Sequence, residues 1–158
     1  METLLRQHLT ELLVGESAHV NARTAFARLP AALRYQAPPG FPHTAWELLE
    51  HLRLAQRDIL EYLQNPRYTA PPFPEGYWPP TPAPPTPEAW DASLTAFLED
   101  LETLQHLVND PSVDLFAHPP HAPAAHTLVR EVLVVADHNA YHLGQVVALR
   151  RAQGAWPP

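Results

Sequence analysis

Residues 66–87 read PRYTAPPFPEGYWPPTPAPPTP and hold half of all the prolines in the chain. Proline lacks a backbone donor, and its ring clashes with the preceding turn, so it is excluded from helix interiors. The same rule turns the remaining prolines into a map. Four proline-free stretches lie between them, at residues 1–29, 43–65, 88–110 and 124–156. These are the candidate helices, and 66–87 is the longest connection between them.

Each stretch carries helix signals of its own. The first repeats Leu5, Leu9, Leu12, Leu13 and Val20 at a helical period. Gly15 interrupts that pattern, which predicts close packing or a slight kink. The second opens with Thr44-Ala-Trp-Glu47, a capping box in which threonine and glutamate satisfy free backbone amides reciprocally. Its stripe continues through Leu48, Leu49, Leu52, Ile59, Leu60 and Leu63. The third opens with Thr86-Pro87-Glu88, an N-cap followed by proline at the first helical position and an acid at the positive end of the dipole. Its stripe is Leu94, Phe97, Leu98, Leu101 and Leu104. The fourth carries Leu128, Val132, Val135, Leu143, Val146 and Arg150, then closes with Arg150, Arg151 and Gly154, a cationic last turn and a glycine stop. No segment alternates as a bounded strand. The pattern predicts an all-α four-helix bundle with a long proline-rich crossover between helices two and three.

The chain of 158 residues has the length of one domain, 1–158, able to bury a core without staples. It contains no cysteine, which excludes disulfides, thiolate ligands and a cysteine nucleophile. The net charge of -7 argues against a nucleic-acid partner, which needs a basic stripe. The first residues, METLLRQHLTELL, lack the basic start and apolar run of a signal peptide. No stretch approaches the roughly 18 consecutive apolar residues of a membrane span. A cytoplasmic protein without a membrane partner is the expectation.

The crossover interleaves Tyr68, Phe73, Tyr77 and Trp78 with its prolines, whereas disordered linkers are poor in aromatics. An extended crossover packed along the bundle is one reading. A lid over a site, or part of a dimer surface, is another.

Ten histidines are many for this length. His138 and His142 stand four apart in Asp137-His-Asn-Ala-Tyr-His-Leu-Gly-Gln145, and side chains at that spacing share a helix face. Metal binding needs neutral imidazoles converging from a rigid scaffold. His51, in the middle of the second stretch and at the edge of its apolar stripe, is the natural third ligand. The competing reading is a set of partly buried histidines hydrogen-bonded at a helix interface. A zincin mechanism is disfavoured, because Asn139 stands where H-E-x-x-H places its glutamate base. His8, His19 and His106 lack a spaced partner; His43 precedes the capping box; His118, His121 and His126 lie in or beside a proline-rich turn. Surface placement is the expectation for these seven.

The segment Trp46-Glu-Leu-Leu-Glu-His51-Leu, the His138 and His142 segment through Gln145, and the closing Leu149-Arg-Arg-Ala-Gln-Gly154 together resemble the DinB-like (YfiT-like) superfamily. The Tyr77-Trp78-Pro79 of the crossover resembles what one subgroup carries there. The resemblance implies a four-helix bundle with a long crossover between helices two and three. It implies a divalent metal, often zinc or nickel, held by His51, His138 and His142, with water in the open coordination. Some members transfer low-molecular-weight thiols such as bacillithiol, mycothiol or glutathione onto electrophiles; others are named metal-dependent hydrolases, and many have no known activity. Homodimers are common among them.

Three histidines plus water make an open site of the catalytic type, where a metal lowers the pKa of bound water or thiol. A small-molecule substrate follows from either chemistry, and the triad is common to both. Asp137, Gln145, Glu47, Asp58 and Tyr141 lie near the ligands in sequence as groups that could orient an imidazole or relay a proton. An ordinary helix-surface role is the expectation for each except Gln145, where the two readings are even. Gly144 is read as permitting close helix contact. Beside the enzyme stand two further readings: a metal-binding bundle without catalysis, serving in binding or stress response, and a plain interaction bundle.

Overall fold

Thr44 and Glu47 begin the helix that carries the first histidine of interest. The Glu47 amide donates to Thr44 Oγ1 at 3.1 Å and the Thr44 amide donates to Glu47 Oε2 at 2.7 Å. The Thr44 hydroxyl also donates to the Pro82 carbonyl at 2.9 Å, so the cap ties the proline-rich connection to the helix start. The computed structural model describes residues 1–157. Its α-helices are α1 (Glu2–Val14), α2 (Ala22–Phe26), α3 (Ala45–Gln64), α4 (Ala89–Asn109) and α5 (Leu128–Ala152), with single 3-10 turns at Ala31–Leu33 and Glu75–Tyr77. No strand occurs among the described residues, and the chain is all-α.

The first proline-free stretch is not one helix. Gly15 ends α1 in the left-handed region, φ 78°, with its amide on the Glu11 carbonyl at 3.1 Å. The expected kink is therefore a stop, because a left-handed residue cannot continue the helix. The chain turns helical again only at Asn21, whose Oδ1 accepts from the Thr24 amide at 2.8 Å. The start of α4 also differs from expectation. The Thr86 carbonyl, not its hydroxyl, accepts the Ala89 amide at 3.2 Å, and no side chain caps the helix. The end of α5 follows the glycine reading: Gly154 has φ 68°, the Ala155 amide reaches the Arg150 carbonyl at 2.8 Å and the Gly154 amide that of Arg151 at 3.1 Å, a Schellman closure.

α3 packs against α4 and α5, and α1 lies across α4 and α5. Two apolar clusters result. One gathers Phe26, Trp46, Leu49, Leu52, Trp90, Phe97, Leu143, Val146 and Leu149; the other gathers Leu9, Leu60, Leu101, Leu104, Leu128, Val132 and Val135. Burying each such side chain contributes about 1.5–3 kcal/mol. Between the clusters sits a buried polar bridge. Asn139 Nδ2 of α5 donates to Gln56 Oε1 of α3 at 2.9 Å, and Gln56 Nε2 donates to the Phe97 carbonyl of α4 at 2.7 Å. Buried amides are costly unless paired, so this bridge fixes the register of three helices just beneath the histidines.

Gly144 does not mediate a close helix contact. It is exposed, and a Cβ built on it meets nothing within 4 Å. No helix among the described residues is long and apolar enough to cross a membrane.

Candidate metal centre

The Asn139–Gln56 bridge joins α5 to α3, and the placement of these two helices brings His51 opposite His138 and His142. Ring centroids are 4.9 Å apart for His51 and His138, 4.6 Å for His51 and His142, and 4.5 Å for His138 and His142. One nitrogen from each ring lies within 4.8 Å of the others. His51 Nε2 and His138 Nε2 are 3.1 Å apart. The contact is a hydrogen bond between the two rings, and its length is close to the spacing of about 3.3 Å that two nitrogens take on a tetrahedral ion with bonds of about 2.05 Å.

Two of the rings have their tautomer set from outside the cluster. His51 Nδ1 donates to the Tyr77 carbonyl at 2.7 Å, and His142 Nδ1 donates to Gln145 Oε1 at 2.8 Å. A ring nitrogen that donates to oxygen leaves the other as the lone pair. The electrostatics favour neutral rings as well. Burial pushes all three imidazoles below their ordinary range, His138 down to about 4, with the His142 and His51 rings adding to the effect on His138. A neutral imidazole is the ligating form. His51 and His142 are buried and His138 is partly buried.

The connection between α3 and α4 forms one wall. The Trp78 ring stacks on His51 with centroids 4.0 Å apart and planes 5° from parallel. Its other neighbour is His43, at 4.3 Å and 24°, which places the indole between two imidazoles. Tyr141 meets the His142 ring edge-on at 4.9 Å and is otherwise exposed.

A family model described as DinB superfamily matches residues 16–146. The chain belongs to the DinB superfamily. The match spans α2 to α4 and the part of α5 that carries His138 and His142. No curated protein and no solved structure matches the chain.

Within this DinB-superfamily chain, the structure brings together His51, His138 and His142, and adds Gln145 as a direct partner of one of them. Glu47 is spent on the cap. Asp58 accepts from the Tyr68 and Tyr77 hydroxyls. Asp137 is exposed and faces a separate cleft lined by His8 and Leu133. Sequence reasoning singled out Tyr77 and Trp78 in the crossover without placing them against the triad, and it missed His43. The aromatics of the connection were its one available signal; a backbone carbonyl leaves no signature. His121 and His126 instead bond to Tyr62, the first through its carbonyl at 3.0 Å and the second through its hydroxyl at 2.9 Å. The three converging imidazoles can hold a metal ion.

Proposed function

We propose that His51, His138 and His142 hold a divalent metal, zinc or nickel, and that the protein is a metal-dependent enzyme activating a water or a low-molecular-weight thiol such as bacillithiol. The reaction is then a thiol S-transfer or a hydrolysis on a small-molecule substrate. One observation carries this reading: two imidazoles have Nδ1 tied to oxygen acceptors, and the third brings its Nε2 to 3.1 Å from the Nε2 of His51. Those acceptors hold the Nδ1 hydrogens of His51 and His142 and leave their Nε2 lone pairs as the available ligand atoms. A bound ion would supply Lewis acidity, making a nucleophile from water or thiol near neutral pH. The protein's own part is to keep the ligands neutral, aimed and partly shielded. Gln145 and the Tyr77 carbonyl orient the rings, while Trp78 and His43 wall off one side.

The stack of Trp78 on His51 also favours a second reading, a metal-binding protein of the stress response without catalysis, since it narrows access. The bundle of α1, α3, α4 and α5 with the proline-rich segment as its crossover, and a homodimer, follow the family; one domain over 1–158 follows from length, the lack of a nucleic-acid partner from the net charge of -7, and a cytoplasmic location without a membrane partner from the absence of an apolar leader or span.

The test is metal content by elemental mass spectrometry on untagged protein, wild type beside His142→Ala. Near-stoichiometric metal in the wild type and little in the variant supports the triad, and a screen of thiols against electrophiles then separates enzyme from binder. No metal in the wild type, even after reconstitution with zinc, nickel and manganese, removes the chemical argument for an enzyme.

A further inference from the structure

Asp58 lies seven residues beyond His51 on α3, about two helical turns away and on the same face. Its two carboxylate oxygens are taken by two tyrosine hydroxyls of the α3–α4 connection: Tyr68 donates to Oδ1 at 2.7 Å and Tyr77 donates to Oδ2 at 3.0 Å. Tyr77 is also the residue whose carbonyl accepts from His51 Nδ1 at 2.7 Å. Its successor, Trp78, covers the face of the same imidazole. The edge and the face of one ligand ring are therefore held by adjacent residues of a connection that one carboxylate fastens to the helix.

The fastening point is stiff. Glu75–Tyr77 is a 3-10 turn closed by the Tyr77 amide on the Pro74 carbonyl at 3.0 Å and the Gly76 amide on the Pro72 carbonyl at 2.7 Å. A Cβ on Gly76 would stand 2.4 Å from Pro71 Cβ, so the turn is folded tightly on its own prolines. Proline limits the alternative conformations of such a segment. A turn of this kind passes a displacement of the Tyr77 side chain to its carbonyl. Burial and the Asp58 hydrogen bonds push both tyrosines above their ordinary range, which favours the donating hydroxyl.

We propose that Asp58 is a positioning residue for His51: through the Tyr77 hydroxyl it sets the place of the Tyr77 carbonyl, and that carbonyl holds His51 with Nε2 facing the other two histidines. The relevance of this link to a divalent metal rests on the function proposed above; the link itself does not.

The experiment has two arms on wild type, Asp58→Ala, Tyr77→Phe and Tyr68→Phe. The first arm reads the tautomer of His51 in metal-free protein near pH 8 by long-range nitrogen–proton NMR. A single Nδ1–H form is expected in the wild type and in Tyr68→Phe. A mixture of the two tautomers is expected in Asp58→Ala and Tyr77→Phe. The second arm is zinc affinity by competition with a chromophoric chelator. A loss of up to about tenfold is expected in the same two variants, the lower end of the range for a ligand's direct partner, because Asp58 and the Tyr77 hydroxyl act through the Tyr77 carbonyl. Tyr77→Phe keeps the ring and the fold should Asp58→Ala prove unstable. An unchanged His51 tautomer in Tyr77→Phe overturns the proposal whatever zinc does. Absence of zinc binding by the wild type, with the tautomer change present, sinks the metal reading and leaves the positioning link standing.

Discussion

Gln145 stands three residues beyond His142 on α5, and its Oε1 accepts the Nδ1 hydrogen of that imidazole at 2.8 Å. The bond joins neighbours on one helix face, so it forms without help from any other element. It leaves Nε2 as the lone pair of His142. Gln145→Leu removes the acceptor and frees the ring to take either tautomer. Zinc affinity is expected to fall by about tenfold or more, while Gln145→Glu, which keeps an acceptor oxygen, retains most of it. Competition titration checks both, and a Gln145→Leu affinity within twofold of wild type would show that the contact orients nothing.

The depressed titration of the cluster makes stability depend on pH, with a defined sign. An unfolded histidine titrates near 6.5, whereas His138 in the folded chain does so at about 4. Above 6.5 neither state carries the proton, and stability is at its full value. As the pH falls through 6.5 the unfolded chain gains a proton that the folded one refuses. Stability then drops until about 4, where both are protonated. His51 and His142 are shifted in the same direction. For the partly buried His138 the expected loss is on the order of 1–2 kcal/mol, about half the full linkage, because solvent screens part of the site. Urea unfolding of metal-free wild type and His138→Asn between pH 7.5 and 4.5 measures it, the difference isolating the histidine from the carboxylates. Metal should leave over the same window, since protonated imidazole does not ligate; occupancy unchanged from pH 8 to pH 5 would count against an all-histidine ligand set.

The parts of this site that were legible in advance are those written in local spacing or in the family resemblance. His138 and His142 share a helix face by their four-residue interval, a weak signal that the family resemblance strengthens, and Gln145 is marked by the resemblance alone. The Thr44–Glu47 box marks the start of α3 within a residue. His51 is legible more weakly, as a polar residue at the rim of an apolar stripe; what makes it a partner is the placement of α3 against α5, which no local pattern encodes. Trp78 and His43 come together only when the connection folds back on α3, and a run of prolines says that the chain is extended without saying where it lies. Gly15 was visible as an interruption, but whether glycine kinks or ends a helix depends on φ. Gly144 was misread because its neighbours on other helices are set by tertiary packing, and there are none within reach of a Cβ.

Trp78 offers a spectroscopic handle on the site. Trp46 and Trp90 are buried in the core, while Trp78 lies flat against His51. A paramagnetic ion beside that ring quenches the indole at close range. Nickel added to the metal-free protein should therefore quench part of the tryptophan emission, and Trp78→Phe should lose most of that quench. The substitution should leave the helical circular dichroism intact and cost about 1 kcal/mol of stability, the scale of an aromatic stacking contact. A quench equal in the variant would place the bound nickel away from the triad.

Two glycines should respond to alanine with opposite signs. Gly15 has φ 78° and terminates α1, and a Cβ there would stand 2.8 Å from His19 Cε1. His19 is an exposed side chain and can swing aside, so the steric contact is cheap. The left-handed backbone is not, and Gly15→Ala should destabilise by about 1–2 kcal/mol. Gly144 is inside α5, exposed, and open around its Cα. Gly144→Ala relieves the entropic cost of a helical glycine and should stabilise by roughly 0.5–1 kcal/mol. On a chain of this size that corresponds to melting-temperature shifts of about 2–4 °C per kcal/mol, measurable by calorimetry on both variants. Gly144 follows His142 by two residues on α5, so zinc affinity should be read beside stability. A more stable Gly144→Ala with unchanged zinc affinity would confine the glycine to backbone effects. A variant that is destabilised would mean that something occupies the space above Gly144, and the surface of α5 between Leu143 and Val147 would then be the place to look for a second copy of the chain.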